Sequence, residues 1–311
     1  MPDILEIKNL TKSFTNKNVV SELSLNIKKG EVYGLIGPNG AGKTTLINMI
    51  CGLIKPTNGS ITMDSQNIYK DNFKFKKLLG VVPQDIALYT ALSAKDNLLF
   101  WGRMYNLNGE KLKKRVAECL KLVGLDDRAN EKISTFSGGM KRRINIAAAI
   151  LHEPALLIMD EPTVGIDPQS RNHILETIKQ LNSKGMSVIY TSHYMEEVEY
   201  LCDRIGIIDH GRLIVQGTIE DVILQIGDES KIIFSLQNNN ESAINYIKNN
   251  IPNIQEVEDH KLIVNTANVH QTLLNILDVI KDSGESIATI DILSPSLENS
   301  FLQITGKSLR D

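Results

Sequence analysis

"GPNGAGKTT", residues 37–45, follows the apolar run "EVYGLI" and opens into "TTLINMICGL", whose apolar residues recur at three- and four-residue spacing. A strand, a glycine-rich loop of the form GxxxxGK(S/T) and a helix, in that order, are the context in which the motif binds phosphate. Gly37, Gly40 and Gly42 let backbone N–H groups close around phosphate oxygens, with Pro38, Asn39 and Ala41 completing the loop. Lys43 supplies a cation to the outer phosphates, and Thr44, followed by Thr45, offers a hydroxyl to magnesium.

Three further apolar runs, "LLIMDEP", "MSVIYTSH" and "RIGIIDH", end at acidic or polar residues and alternate with helical patterns. That alternation predicts an α/β core with a mostly parallel, buried sheet. "LLIMDE" ends in two carboxylates, Asp160 and Glu161, at the sheet edge where ligands of parallel sheets bind. Asp160 is the candidate magnesium ligand, and Glu161 the candidate group that orients or deprotonates an attacking water. A helical subdomain is expected over about residues 86–152, helical throughout from about Asn97 to Leu151. After about Gln225 the pattern restarts as strand "KIIFSL", helix "ESAINYIKNN", strands "IQEVED" and "KLIVNT", helix "VHQTLLNILDVIKDSG", strand "SIATIDIL" and a last helix "SLENSFLQITG". The order βαββαβ predicts a small α+β, ferredoxin-like domain over 225–311, behind a larger domain over 1–224.

Composition agrees with one large and one small domain: 311 residues, 42% of them hydrophobic, can fill a sizeable core. A formal net charge of −3 argues against a broad nucleic-acid surface and makes Lys141, Arg142 and Arg143 a local basic cluster. Cys51, Cys119 and Cys202 are far apart and odd in number, which suits reduced cytosolic thiols rather than a disulfide framework. The acidic opening "MPDILEIKNL" is not a secretory signal. The most apolar stretch, "INIAAAILHEPALLIM", is broken by His152, Glu153 and Pro154, and no run reaches the roughly 18 uncharged residues a membrane helix needs. Any membrane role is expected to come through a partner.

A second glycine-opened helix start, "FSGGMKRR" at residues 136–143, lies nearly a hundred residues after the first. With "GPNGAGKTT", "VVPQD", "FSGGM", "LLIMDEP", "VGIDP" and "TSH" in this order, the chain resembles the ATP-binding subunit of ABC transporters over roughly residues 3–220. The resemblance implies ATP and magnesium as cofactors, a separately encoded transmembrane permease as partner and a location on the cytoplasmic face of the cell membrane. It also implies a second ATPase subunit, a homodimer being expected, packed head to tail. Ser137, Gly138 and Gly139 of one subunit would then cap the ATP held by the phosphate loop of the other, which explains the second helix start. The helix end itself attracts an anion by roughly 0.3–2 kcal/mol, against an association cost on the order of 4–15 kcal/mol. Two bound ATPs must therefore contribute most of the closure.

The resemblance carries over to other positions as well. Gln84 would touch magnesium and the water, His193 would reach the γ-phosphate, and Phe14 would stack on adenine. Asp167 and Pro168 read as an N-cap and first helical position, to which the resemblance adds contact across the dimer. Phe136 and Met140 depart from the family's commonest LSGGQ, so the glutamine amide is lost while the serine and glycines remain. "SPSLENSFLQITGKSLRD" and the "FSGGM" variant are similar to ATP-binding subunits of drug, antibiotic and lipid exporters of the daunorubicin-exporter type, which implies export. The competing expectation is a soluble ABC-type ATPase acting on ribosomes or nucleic acid. A single cassette, no long coiled coil and near-neutral charge speak against it.

Overall fold

Val32–Ile36 forms β3, a strand with every residue buried, as the continuous apolar run requires when helices or sheets cover both faces. The computed structural model describes residues 2–15, 17–70, 75–226, 229–238, 240–257 and 261–306. With β6 (Leu79–Val82), β7 (Leu156–Asp160), β8 (Ser187–Thr191), β9 (Arg204–Asp209) and β10 (Arg212–Gly217), β3 makes a six-stranded sheet of order β10-β9-β3-β8-β7-β6. All neighbours run parallel except β10, which returns antiparallel on β9. The carboxyl ends of β3 and β7 therefore open on one edge. This places the glycine-rich loop after β3 and the acids after β7 on the same side of the sheet.

A second sheet, fully antiparallel, is built from β1 (Asp3–Phe14), β2 (Lys17–Lys28), β4 (Asn58–Met63) and β5 (Gln66–Asn67), in the order β2-β1-β4-β5. Leu5, Ile7, Leu23, Ile27 and Ile61 of this sheet share one buried cluster with Leu46, Met49 and Ile50 of α1 (Lys43–Ile50). Each such side chain contributes about 1.5–3 kcal/mol on burial, so the helix that starts at Lys43 is fixed by its apolar stripe.

The intervening region holds α2 (Ala94–Met104), α3 (Gly109–Leu122) and α4 (Gly138–Ile150). It is not helical throughout. Residues 86–93 precede the first helix, which starts where Ser93 Oγ accepts the Asp96 N–H. Gly124, at φ +62°, closes α3, and residues 123–137 are turns with one 3₁₀ turn at Ile133–Thr135. Beyond it lie α5 (Pro168–Ser183), α6 (Met195–Leu201) and α7 (Ile219–Ile226).

Contacts within the chain separate a first unit, Met1–Asp221, from a second, Val222–Ile304. The second holds β11 (Ser230–Leu236), α8 (Glu241–Asn250), β12 (Ile254–Val257), β13 (Lys261–Thr266), α9 (Val269–Asp282) and β14 (Ile287–Leu293), followed by α10 (Leu297–Thr305). Its sheet order, β12-β13-β11-β14 with every pair antiparallel, is the ferredoxin-like arrangement. Alternate residues of β11, Ile232, Phe234 and Leu236, bury against Ile247 and Ile276 of the helices. Of the strand read as "IQEVED", Glu258 and Asp259 lie outside the described residues, as does "KSLRD" at the end of the chain.

Candidate active site

The loop after β3 closes because its glycines have no side chains. A Cβ on Gly37 would stand 2.3 Å from the Ile208 carbonyl oxygen, and Gly42 caps α1 at φ +104°. Residues 38–45 line a cavity of about 350 Å³ with Val19, Gln84, Glu161 and His193. Two larger hollows, of about 770 and 710 Å³, contain none of the expected site residues. Lys43 is only 8% exposed, and its Nζ donates to the carbonyls of Gly37 (2.5 Å) and Pro38 (3.1 Å). Burial pulls the Lys43 ammonium below its usual pKa, against the opposing pull of Glu161 and Asp160.

Asp160 ends β7, and Glu161 follows it at φ +48°, a left-handed conformation that costs a glutamate on the order of 1–3 kcal/mol. The turn aims the side chain into the cavity. Glu161 Oε1 lies 2.5 Å from His193 Nε2, and Oε2 accepts a hydrogen bond from Gln84 Nε2 at 3.2 Å. The His193 contact, ahead of the opposing effect of burial, holds the Glu161 carboxyl below the ordinary glutamate range. Burial raises the Asp160 carboxyl instead, opposed by a 2.8 Å hydrogen bond from Thr191 Oγ1 and reinforced by Glu161. The two neighbouring acids thus have opposite shifts.

His193 was read as the end of its strand, but β8 stops at Thr191. The chain turns there because the Ser192 hydroxyl accepts the Tyr194 N–H and donates inward to Glu197. Three residues of the site were not foreseen. Val19, on β2, lines the cavity. Thr191 both donates to Asp160 and accepts the Glu161 N–H at 2.9 Å. Arg142, part of the local basic cluster, is 4% exposed and donates to the carbonyls of Pro83 (2.5 Å) and Gln84, fixing the Gln84 loop to α4.

Ser137 caps α4, its Oγ accepting the Met140 N–H at 3.2 Å, and Asp167 caps α5 through the Ser170 N–H at 2.9 Å. Neither Ser137, Gly138 nor Gly139 lines the cavity of its own chain. Gly139 packs on the α5 start, where a Cβ would meet Ser170 Oγ at 2.2 Å, while a Cβ on Gly138 would make only an ordinary contact with Ile166 Cδ1 at 3.8 Å. Phe14 also lies outside the cavity lining. It sits 45% exposed at the β1–β2 turn, with Lys12 Nζ 5.0 Å from its ring centre.

The donors near the cradle suit magnesium: a hydroxyl at Thr44, an amide oxygen at Gln84 and a carboxylate at Asp160 are the hard oxygen ligands that ion takes. The desolvated Asp160 beside Glu161 is also a charge a dication would relieve. This leads to a stability prediction. A carboxyl whose folded pKa is raised contributes stability below its unfolded pKa and loses that contribution as pH rises through the folded one. With chelator present at pH 8, Asp160→Asn, which keeps an oxygen for Thr191, should raise the melting temperature by a few degrees. The gain should shrink as pH falls through the carboxylate range. A thermal melt series against pH checks it, and a lower melting temperature at pH 8 would contradict it.

A phosphate loop between a parallel strand and a helix, with an acid pair at the end of the next strand but one, defines a P-loop nucleotide hydrolase. Comparison with known proteins narrows the class. The family model described as ABC transporter matches residues 20–164. The linearmycin resistance ATP-binding protein LnrL of Bacillus subtilis (strain 168) is 49% identical over 312 residues, covering 99% of this chain and 100% of that one. The Nod factor export ATP-binding protein I of Rhizobium sp. (strain N33) is 34% identical over 306 residues, 98% of each chain. A solved ATP-binding subunit of an ABC transporter superposes with a TM-score of 0.66 at 31% identity, over 72% of this chain and 93% of that one. A dimeric ATP-binding cassette in a post-hydrolysis state, bound to ADP and Pi, gives 0.62 at 29% identity, over 69% and 98%.

The chain belongs to the ABC transporter family, as an ATP-binding subunit with ATPase activity. Subunits of this family work with a membrane permease and dimerise. Among the described residues, no helix is long and apolar enough to cross a membrane.

Proposed function

We propose that this subunit powers export through a separately encoded permease, the cargo being drugs, antibiotics or lipids. Relatives named for linearmycin resistance and Nod factor export support that direction. Residues 37–45 bind the phosphates of ATP, with Phe14 against the adenine. Thr44, Gln84 and Asp160 hold magnesium, which when bound neutralises phosphate charge. Glu161 orients the attacking water and takes its proton, while Gln84 and His193 fix its two oxygens. His193 is also within reach of the γ-phosphate side of the cradle.

The observation that carries this reading is the bracketed Glu161 carboxylate, held at 2.5 and 3.2 Å and aimed into the phosphate-loop cavity. Ser137, Gly138 and Gly139 of a second, identical subunit complete the site. The separation of all three from their own cavity supports that assignment, as does the uncrowded surface at Gly138, where a Cβ would touch only Ile166 Cδ1 at 3.8 Å. ATP then closes the pair and hydrolysis reopens it, at the cytoplasmic face of the membrane.

The test is affinity purification of tagged Glu161→Gln protein from gently solubilised membranes with magnesium and ATP, followed by mass spectrometry. A multi-span membrane protein in near-equal amount is the expected result. Recovery of only ribosomes, nucleic acid or soluble factors would overturn the transport assignment.

A further inference from the structure

Glu197 is an acid in the first turn of α6 and 3% exposed, an unusual place for a carboxylate unless something holds it. Its Oε2 accepts three hydroxyl hydrogen bonds, from Thr163 Oγ1 (2.8 Å), Tyr190 Oη (2.7 Å) and Ser192 Oγ (2.6 Å). The donors come from three places that matter for the site. Thr163 stands two residues beyond Glu161, Tyr190 is in β8, and Ser192 immediately precedes His193.

The other oxygen, Oε1, faces Arg171 Nε at 3.4 Å, and neither atom has a hydrogen-bond partner. Arg171 lies in the first turn of α5, where its N–H donates to the Asp167 carbonyl at 2.9 Å. Its guanidinium lies 4.4 Å from the centre of the Tyr194 ring. One buried carboxylate therefore joins residues 163–171, which follow Glu161, to residues 190–194, which surround His193. The charge is balanced by Arg171, while the hydroxyl contacts supply the geometry. Charged acceptors make the stronger hydrogen bonds.

We propose that Glu197 is a positioning residue for ATP hydrolysis, clamping the segment after Glu161 to the segment carrying His193 so that these two side chains keep their contact. The inference rests on the site reading above and adds a group that touches neither nucleotide nor water. The clamp also reaches Asp167 through Arg171. The start of α5, on which Gly139 packs, and the His193 segment are thus set by the same carboxylate.

Glu197→Gln in the full-length chain tests it. The variant keeps the shape and one accepting oxygen but removes the charge and turns an amide toward the hydroxyls or Arg171. Displacing reacting groups by a fraction of an ångström lowers rates steeply, so kcat should fall about 10- to 100-fold. ATP affinity and KM should change less than about two-fold, since the phosphate loop is untouched. Thr163→Val, which removes one donor, should show the same split with a smaller fall, and it carries the test if Glu197→Gln does not fold. In a Glu161→Gln background, Glu197→Gln should cost little more, because both act on one group. Unchanged kcat, or a fall matched by an equal loss of ATP affinity, would overturn the clamp. If Glu161→Gln alone were fully active, the site reading would fail, independently of the Glu197 result.

Discussion

Glu161→Gln is expected to lower ATP hydrolysis at least about 100-fold while leaving ATP affinity within roughly two-fold. A positioned general base contributes about 10²–10⁴ in rate, and a hundredfold loss corresponds to about 2.7 kcal/mol of barrier. The replacement is isosteric and leaves residues 37–45 untouched, so binding should persist. Phosphate release at saturating ATP, set beside equilibrium nucleotide binding, separates the two effects. With hydrolysis stopped and binding intact, the magnesium–ATP dimer should accumulate on sizing columns. Full activity would remove Glu161 from the base role.

The pH profile gives a second view of the same carboxylate. His193 holds the Glu161 carboxyl below its ordinary range, so it is ionised throughout neutral pH. A depressed pKa stabilises the folded chain above the unfolded value and loses that contribution as pH falls through the folded one. Any acid limb of kcat/KM set by Glu161, which reports the nucleotide-free chain, should therefore lie below the ordinary glutamate range.

How much of this was legible in the sequence follows from how far apart the interacting residues are. The phosphate loop is a local signal: glycines, lysine and hydroxyl are contiguous, and the preceding strand and following helix are visible from their apolar periods. Ser137 and Asp167 were legible as caps for the same reason, since each accepts an N–H three residues on. Arg142 and Thr191 were not legible. Arg142 holds Gln84 from 58 residues away, and Thr191 reaches Asp160 across 31. Only the parallel register that pairs Asp160 with Thr191 brings the latter two together.

Glu197 shows the limit most clearly. In "MEEVEY" it reads as one of several acids near a helix start, where negative charge is favourable and solvent exposure is the rule. Its three hydroxyl partners lie at Thr163, Tyr190 and Ser192, so no local pattern marks it as buried. The helical region failed for a related reason. Three-four spacing predicted a region helical throughout from about Asn97 to Leu151, but Gly124, at φ +62°, closes a helix at a boundary that the apolar period does not carry.

Lys43→Ala should weaken ATP binding by about 10- to 100-fold, because hydrogen bonds to a charged group are worth about 1.5–3 kcal/mol. The side chain does two things in the present structure. It bridges the Gly37 and Pro38 carbonyls, and it places a buried cation near Asp160 and Glu161. Alanine removes both, so hydrolysis should fall with affinity, unlike the split expected for Glu161→Gln. Equilibrium binding of a fluorescent ATP analogue measures it, and wild-type affinity would count against the cradle. The same variant also tests completion by a second subunit. Gly138→Asp places a negative charge where a Cβ makes only an ordinary contact, with Ile166 Cδ1 at 3.8 Å, so it should block the phosphate approach without a clash within the chain. Each variant alone should be inactive. In a mixed, head-to-tail pair, both lesions fall on one site, leaving the other site with Lys43 and Gly138 intact. Co-expression of the two should therefore restore hydrolysis that neither shows alone. A mixture no more active than its parts would argue that each subunit completes its own site.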